Sequence, residues 1–214
     1  MADTADTRIV LIRHGEANAA VEQFIGGHQS CTGLSELGRR QAEALHDRLA
    51  RTGELAPVHA LYASLMERSV ETARIIAPAL GEVEIRQDCG VCEIHPGDAE
   101  GLTWEQYREQ FATEDDLRDP YVRWAPGGES WAEFSTRAGT RLRELTQEHV
   151  CKTVVVACHG GVIESSLIAF GRVPLHRGFA TYVQNTSLTE WRRAEHDREW
   201  TLVRFNDAAH LADL

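Results

Sequence analysis

Short apolar runs alternate along this chain with longer segments whose apolar residues recur at helical spacing. Residues 8–13 (RIVLIR) and 153–158 (TVVVAC) are rich in β-branched side chains and carry few polar ones. Such runs are typical of strands that are buried on both faces, as in a parallel sheet. The same reasoning predicts weaker strands at residues 59–63, 83–86, 187–191 and 200–205.

Helices are predicted between these strands. Leu37, Leu45 and Leu49 fall on one face of a helix over residues 35–51. Residues 64–67 (SLME) have the form of a capping box, which predicts a helix that starts at Ser64 and ends near residue 77, before Pro78. A short helix is predicted at residues 103–111, and a longer one at residues 130–150 after a Pro-Gly-Gly turn.

The alternation of strands and helices predicts an α/β fold. We expect a single domain over residues 1–214, a three-layer α/β/α sandwich with a mainly parallel sheet and helices on both faces. Residues 95–131 fit the alternation least well and are interpreted as a helical excursion over the carboxyl edge of the sheet. Its aromatic residues either form a small core or line a substrate cleft; they are Trp104, Tyr107, Tyr121, Trp124 and Trp131.

Composition narrows the class of function. The chain has 214 residues, 43% hydrophobic and 26% charged, which is typical of a globular protein and excludes a disordered or collagen-like chain. Its net charge of −11 repels nucleic acid and anionic membranes, so neither is expected as a partner. Any phosphate group must therefore be attracted by a local cluster of cations.

The expected location is cytoplasmic. The first residues, MADTADT, do not have the form of a secretory signal, and no apolar run approaches the ~20 residues of a membrane span. The five cysteines are odd in number and thinly spread, which favours reduced thiols and no structural disulfide.

Both of the strongest predicted strands end in a His-Gly pair, His14-Gly15 and His159-Gly160. Ligands of an open parallel sheet bind where the strands present their carboxyl ends. A glycine lets the backbone approach a ligand closely, and a helix that follows it can direct free N–H groups at an anion, so Gly160 is a candidate binding residue.

Two arginines are predicted at the same edge. Arg13 precedes the first histidine, and Arg68 falls in the first turn of the helix that follows residues 59–63. With the two histidines they would form the local cationic cluster that the net charge requires. The alternative for Arg68 is a surface arginine paired with Glu67 or Glu71.

Five motifs in order resemble those of the histidine phosphatase superfamily, in its phosphoglycerate mutase-like branch. They are RHGE at residues 13–16, SLMERSVETA at 64–73, Glu93, PGGES at 126–130 and HGG at 159–161. The resemblance covers nearly the whole chain. It implies that His14 is the nucleophile that becomes phosphorylated, that Arg13, Arg68 and a cationic His159 hold the phosphoryl oxygens, and that Glu93 donates the proton.

The chain departs from the family pattern after Gly15. Relatives often carry Thr and Asn where this chain has Ala17 and Ala20, and we expect Asn18 to supply the missing amide to the substrate. A solvated loop asparagine is the alternative. Residues 26–35 (GGHQSCTGLS) also lack the acidic residue that many relatives place there.

The resemblance implies a metal-independent phosphatase that acts on a small phosphorylated metabolite, without a cofactor. A cofactor-dependent phosphoglycerate mutase that uses the same phosphohistidine is the alternative, although such mutases tend to be longer than 214 residues. A non-catalytic protein that binds a phosphorylated ligand is a third reading, disfavoured because the nucleophile and the acid are both present. The family often forms homodimers, which makes a second copy a candidate partner.

Cys89 and Cys92 form a C-x-x-C motif that is followed by His95. A structural zinc site normally takes four protein ligands, and the sequence offers no second cysteine pair. No metal ion is therefore expected.

Overall fold

The computed structural model describes residues 6–81, 83–111, 119–176 and 179–214. One six-stranded sheet runs through them, in the order β3-β2-β4-β1-β5-β6. Its strands are β1 (Thr7–Arg13), β2 (Ala60–Ala63), β3 (Ile85–Gln87), β4 (Thr153–Cys158), β5 (Leu188–Arg193) and β6 (Thr201–Asp207). Each predicted strand is present, within about two residues at its ends.

The sheet is mainly parallel, as predicted. β3, β2, β4 and β1 are parallel to one another, whereas β5 is antiparallel to β1 and β6 is antiparallel to β5. β1 and β4 lie next to each other in register, with Arg13 opposite Cys158. The residues that directly follow these two strands therefore lie next to each other at the same edge of the sheet.

Six helices within the described ranges connect or cover the strands. They are α1 (Asn18–Val21), α2 (Glu36–Thr52), α3 (Glu67–Ile76), α4 (Trp104–Gln110), α5 (Trp131–Glu148) and α6 (Gly160–Ala169). Short 3-10 turns lie at Ala77–Leu80, Cys89–Val91, Gly97–Ala99 and Ala209–Leu211. No helix among the described residues is long and apolar enough to cross a membrane.

The two faces of the sheet carry separate cores, which confirms the three-layer sandwich. Along β1, Ile9 and Leu11 pack against α5 and α6, whereas Val10 and Ile12 pack against α2 and α3. The alternation follows from the period of two in a strand, and it explains why β1 is apolar throughout.

Helix starts were predicted correctly at three positions and wrongly at one. Ser35, Thr103 and Ser130 each accept a hydrogen bond from the backbone N–H three residues later, and the latter two form complete capping boxes. The capping box predicted at Ser64 is wrong: α3 begins at Glu67, its N-cap is Met66, and no side chain caps it. The hydroxyl of Ser64 instead contacts a histidine on another element.

The predicted excursion over residues 95–131 contains α4 and an aromatic cluster; residues 112–118 of it lie outside the described residues. The rings of Trp104 and Trp124 lie 5.8 Å apart between centroids, and Tyr107 lies 5.7 Å from Trp124. Tyr107 is buried, whereas 44% of Trp104 is exposed. The cluster is thus both a small core and an aromatic surface.

Candidate active site

His14 and His159 meet at the carboxyl edge of the sheet. They follow the paired residues Arg13 and Cys158, and their ring centroids lie 5.0 Å apart in an edge-on arrangement. His14 is 7% exposed and His159 is fully buried. The two strand ends that sequence reasoning singled out therefore form one site.

The hydrogen bonds of His14 fix its tautomer. Its Nδ1 lies 2.6 Å from the carbonyl oxygen of Gly15, so Nδ1 carries the proton and Nε2 keeps its lone pair. Arg68 donates its Nε–H to that Nε2 over 3.2 Å. Burial lowers the pKa of His14 well below its ordinary value, and the charges of Arg68 and Arg13 lower it further. A neutral imidazole is thereby stabilised.

His159 is oriented by Ser64. The Ser64 hydroxyl lies 2.6 Å from Nε2 of His159 and also accepts the N–H of Met66 over 3.3 Å. If the Ser64 hydroxyl donates its proton to Nε2, the His159 proton lies on Nδ1. Burial, followed by the charge of Arg68, lowers the pKa of His159 well below its ordinary value. Burial therefore favours the neutral ring, and the charge of His159 beside a bound phosphoryl group stays a prediction.

Arg13 reaches the site from the end of β1. Its Nη1 donates to the carbonyl oxygen of Val183, and its buried Nε has no hydrogen-bond partner among the described residues. One edge of the guanidinium is therefore held by the backbone, and the other is free to bind an anion.

Arg68 lies in the first turn of α3, as predicted, and is 5% exposed. Its buried Nη1 also has no partner among the described residues, while Nη2 donates to the carbonyl oxygen of Gly26 over 3.4 Å. Pairing with Glu67 or Glu71 does not occur, because these carboxylates bind Arg74 and Arg39 respectively.

Glu93 faces the same edge from the segment after β3. Its two carboxylate oxygens accept the backbone N–H groups of Gly161 and Ile94, each over 3.1 Å. Burial raises the pKa of Glu93 above its ordinary value, and these two hydrogen bonds oppose the rise only in part. A Cβ at Gly161 would collide with this carboxylate and with Phe134, so this position requires glycine. Burial therefore favours the protonated form of Glu93.

The glycines of the two His-Gly pairs have different roles. Gly160 opens α6 with His159 as its N-cap, and a Cβ there would meet only Arg13, at 3.9 Å. At Gly15, by contrast, a Cβ would collide with the backbone of Gly38 in α2. Gly15 thus allows a close approach of helix and strand end; only the second pair leads directly into a helix.

Asn18 is the first residue of α1. Its Nδ2 contacts the carbonyl oxygen and the hydroxyl of Thr32, each over 3.3 Å. The amide thereby ties α1 to the loop over residues 26–35. Its contact with a substrate stays a prediction.

A cavity of about 520 Å³ opens beside these groups. Arg13, Glu93 and Gly160 line it on the side of the strand ends. Five aromatic side chains also line it; they are Phe24, Trp104, Trp124, Trp131 and Tyr182. The excursion therefore contributes aromatic surface to the cavity, as the second interpretation expected.

Sequence reasoning missed the segment before β5. Asn185 donates its Nδ2 to the carbonyl oxygen of His14 over 2.9 Å, and the N–H of Thr186 donates to the carbonyl oxygen of Arg13 over 2.9 Å. The segment also supplies the carbonyl group of Val183 that holds Arg13. No pattern in residues 172–186 signals these contacts, which depend on β5 lying beside β1.

Comparisons with known proteins agree with this geometry. The model of the family described as "Histidine phosphatase superfamily (branch 1)" matches residues 9–208. Phosphoglycerate mutase-like protein 4 of Arabidopsis thaliana is 31% identical over 219 residues, covering 99% of this chain and 90% of the relative. The metal-independent phosphoserine phosphatase of the same plant is 30% identical over 216 residues, covering 97% and 84%. Among solved structures, mycobacterial glucosyl-3-phosphoglycerate phosphatase superimposes with a TM-score of 0.77 at 27% identity, covering 94% of this chain and 99% of that one.

Proposed function

This chain belongs to the histidine phosphatase superfamily and is a phosphatase within it, and we propose that it hydrolyses its substrate through a phosphohistidine on Nε2 of His14. Arg13, Arg68 and His159 hold the phosphoryl oxygens in this proposal, and Glu93 transfers the proton. The substrate is a small phosphorylated metabolite.

One observation carries the proposal. Nε of Arg13, Nη1 of Arg68 and Nδ1 of His159 are buried donors without a hydrogen-bond partner among the described residues, and all three belong to the cluster around His14. Leaving buried donors unpaired costs about 1–3 kcal/mol each, more where the group is charged. A phosphoryl group, with its negatively charged oxygens, would satisfy all three at once.

The first chemical step forms a P–N bond and breaks a P–O bond. Nε2 of neutral His14 attacks phosphorus, in line with the departing oxygen, while the arginines and Nδ1–H of His159 stabilise the phosphoryl oxygens. Glu93, protonated because burial raises its pKa, gives its proton to the departing alcohol oxygen.

The second step reverses these roles. Glu93 is now a carboxylate and takes a proton from a water molecule, whose oxygen attacks phosphorus. The P–N bond breaks, inorganic phosphate leaves, and His14 and protonated Glu93 are restored. The positive charge that this chemistry requires comes from two arginines, so these steps need no metal ion.

The cavity lining supports an alcohol with an apolar or sugar-like face as the leaving group. Trp104 and Trp124 offer flat aromatic surfaces, on which such a face packs well. Arg13 is the one cation among the described lining residues, and Glu93 and Glu164 also line the cavity. A mutase that exchanges phosphate with a bisphosphorylated compound needs further cations for the second phosphate, so the lining favours hydrolysis over the mutase reaction.

We also propose that the protein acts in the cytoplasm. All five cysteines are free, which fits a reducing compartment.

The test is phosphate release from a panel of phosphorylated metabolites, with a chelator present. The panel includes phosphoserine, sugar phosphates and 3-phosphoglycerate, the last also supplied with 2,3-bisphosphoglycerate to detect isomerisation. We expect hydrolysis that resists the chelator and is lost in His14→Ala, with the phosphorylated protein trapped by rapid alkaline quench of the native enzyme, because the P–N bond of phosphohistidine is stable in alkali and labile in acid. Isomerisation without net phosphate release, or turnover in His14→Ala, would contradict the proposal.

A further inference from the structure

His28, Cys89 and His95 form a cluster of metal-ligating side chains outside the catalytic groups. The Sγ of Cys89 lies 3.6 Å from Nε2 of His28 and 3.7 Å from Nε2 of His95. The three atoms all lie within 4.8 Å of one another. They come from two segments that are more than 60 residues apart along the chain.

We propose that these three side chains bind a zinc ion. Zinc–sulfur and zinc–nitrogen bonds of about 2.3 and 2.0–2.1 Å, at the tetrahedral angle, separate a sulfur from a nitrogen by about 3.5–3.6 Å. The two observed sulfur–nitrogen distances are within about 0.2 Å of this value. The third separation, between the two nitrogens, is at most 4.8 Å, and rotation of the imidazole rings must bring it to the roughly 3.3–3.4 Å of a tetrahedral site.

The donor set matches the preference of zinc. A thiolate and two imidazoles are borderline-soft ligands, which select zinc over magnesium or calcium. When the ion binds, Cys89 gives up its thiol proton to solvent and ligates as the thiolate. His28 is exposed and the other two ligands are half-buried, so an ion can enter from solvent, and water can fill the fourth position.

The C-x-x-C motif does not supply the second ligand that the sequence suggested. Cys92 is fully buried and is not one of the clustered residues. Burial raises the pKa of the Cys92 thiol to about 12, which keeps it protonated. The ligand that replaces it is His28, which no local pattern connects to Cys89.

The segment with Cys89 and His95 is held in place before any ion binds. Arg137 donates to the carbonyl oxygens of Cys89, over 2.9 Å, and Cys92, over 3.1 Å. Its charge is balanced by Glu129, which it contacts over 2.7 Å. Glu129 also accepts the N–H of His95 over 3.0 Å, and the same carboxylate oxygen lies 3.7 Å from Nδ1 of His95. A carboxylate behind a ligating imidazole is the usual outer partner of a zinc-bound histidine.

The loop with His28 is held by Glu100. Its Oε1 accepts the N–H groups of Gln29 and Ser30 over 2.6 and 2.7 Å. Both segments border the catalytic cavity, since Gly26 and Glu93 line it. A zinc ion would thus link the loop whose Gly26 contacts Arg68 to the segment that carries Glu93.

The experiment measures metal binding directly and does not depend on phosphatase activity. The full chain is purified in chelator and a non-thiol reductant, then titrated with Zn²⁺ against a chromophoric chelator and separately with Co²⁺. We expect one tight site, with thiolate-to-cobalt charge-transfer absorption in the near ultraviolet, and a higher unfolding temperature with Zn²⁺.

Cys89→Ser should abolish the charge-transfer absorption and weaken Zn²⁺ binding at least about tenfold, and His28→Gln and His95→Gln should weaken it similarly. Cys151→Ser and His46→Gln are matched controls on other surfaces and should bind as the native chain does. His14→Ala should also retain the site, which separates it from the catalytic histidines. Circular dichroism in chelator checks that each variant is folded.

Three results would overturn the proposal. They are a native chain that binds no Zn²⁺ at micromolar concentration, a Cys89→Ser variant that binds as tightly as the native chain, and loss of the site in His14→Ala. Absence of Zn²⁺ binding would mean that the three side chains form a hydrogen-bonded cluster only. Loss of the site in His14→Ala would assign the ion to the catalytic histidines. Because none of these measurements uses substrate, they leave the proposed phosphatase mechanism to its own test.

Discussion

Arg68 donates its Nε–H to Nε2 of His14 over 3.2 Å, so the guanidinium occupies the lone pair of the nitrogen that the proposed reaction uses. In the proposed reaction, a phosphoryl group that takes over the donors of Arg68 would release that lone pair toward phosphorus. Binding of the anion and activation of the nucleophile would then be coupled through one side chain.

Arg68→Ala should lower kcat/KM by about 10³-fold or more, because an arginine in this role contributes about 10³ to 10⁵ in rate. Its charge also lowers the pKa of His14, so its removal should raise that pKa and move the acidic limb of the pH–rate profile to higher pH. Arg74→Ala is the matched control, since Arg74 lies on the same helix but is exposed and pairs with Glu67. An unmoved acidic limb would argue against the coupling.

The pH dependence of kcat/KM should be bell-shaped, with its maximum on the acidic side of neutral. Activity falls as pH drops through the pKa of His14, which burial holds below 6.5, because the protonated ring cannot attack. It falls again as pH rises through the pKa of Glu93, which burial holds above 4.5, because the carboxylate cannot donate a proton. A rate that climbs steadily into alkaline pH would contradict both roles.

Glu93→Gln should remove the alkaline limb and lower the rate by about 10²–10⁴-fold. Glutamine retains the size of the side chain but cannot donate a titratable proton. A substrate whose leaving group needs no protonation, such as p-nitrophenyl phosphate, should form the phosphohistidine with a smaller loss of rate in this variant. Rapid-quench kinetics with p-nitrophenyl phosphate and an alkyl phosphate measures that difference; equal losses would argue against proton donation by Glu93.

Ser64→Ala should lower kcat about three- to tenfold, since the lost hydrogen bond to His159 is worth about 0.5–1.5 kcal/mol. Ser64 is a positioning residue, because it acts through the His159 ring. Nitrogen NMR of the labelled protein should show the proton of His159 redistributed between Nδ1 and Nε2 in the variant. An unchanged tautomer would assign Ser64 to packing alone.

Glu190 should contribute strongly to stability, because it is 1% exposed and binds Arg8 with both carboxylate oxygens, over 2.7 and 3.0 Å. Burial alone would raise the pKa of Glu190, but its arginine partners, Arg8 first among them, lower it to about 2. Glu190→Gln should reduce the free energy of unfolding by about 3–5 kcal/mol at neutral pH.

The sign of the pH dependence follows from that lowered pKa. The stabilisation from Glu190 is complete above about pH 4.5, the ordinary pKa of the unfolded carboxyl, and is lost as pH falls toward 2. Denaturant unfolding at pH 7 and pH 3 should therefore show a smaller difference between native chain and variant at the lower pH. Glu195→Gln, on an exposed turn, is the control and should change little.

Patterns within short segments of the sequence correctly indicated the strands, most helix starts and the edge of the sheet at which His14 and His159 meet. Burial on both faces makes β1 and β4 apolar throughout, and the chain leaves each strand at a His-Gly pair. The ends of a parallel sheet gather ligand-binding groups, so Arg13, His14 and His159 could be assigned to one edge without coordinates.

Contacts between distant segments could not be predicted from patterns within short segments of the sequence. Ser64 had the local form of a helix cap, yet its hydroxyl orients His159, because β2 lies beside β4 in the sheet. Burial lowers the pKa of His159, and it depends on everything packed around the ring, which no local pattern shows.

The sequence by itself determined which residues could carry the chemistry, because strand periodicity and the residues at strand ends are local properties. The tertiary structure decided which of them meet. The register that sets Arg13 opposite Cys158 brings His14 and His159 together, and the packing of two loops sets His28 beside Cys89, 61 residues away. Strand pairing and burial are properties of the whole chain, so protonation states and clusters of this kind are fixed only when it folds.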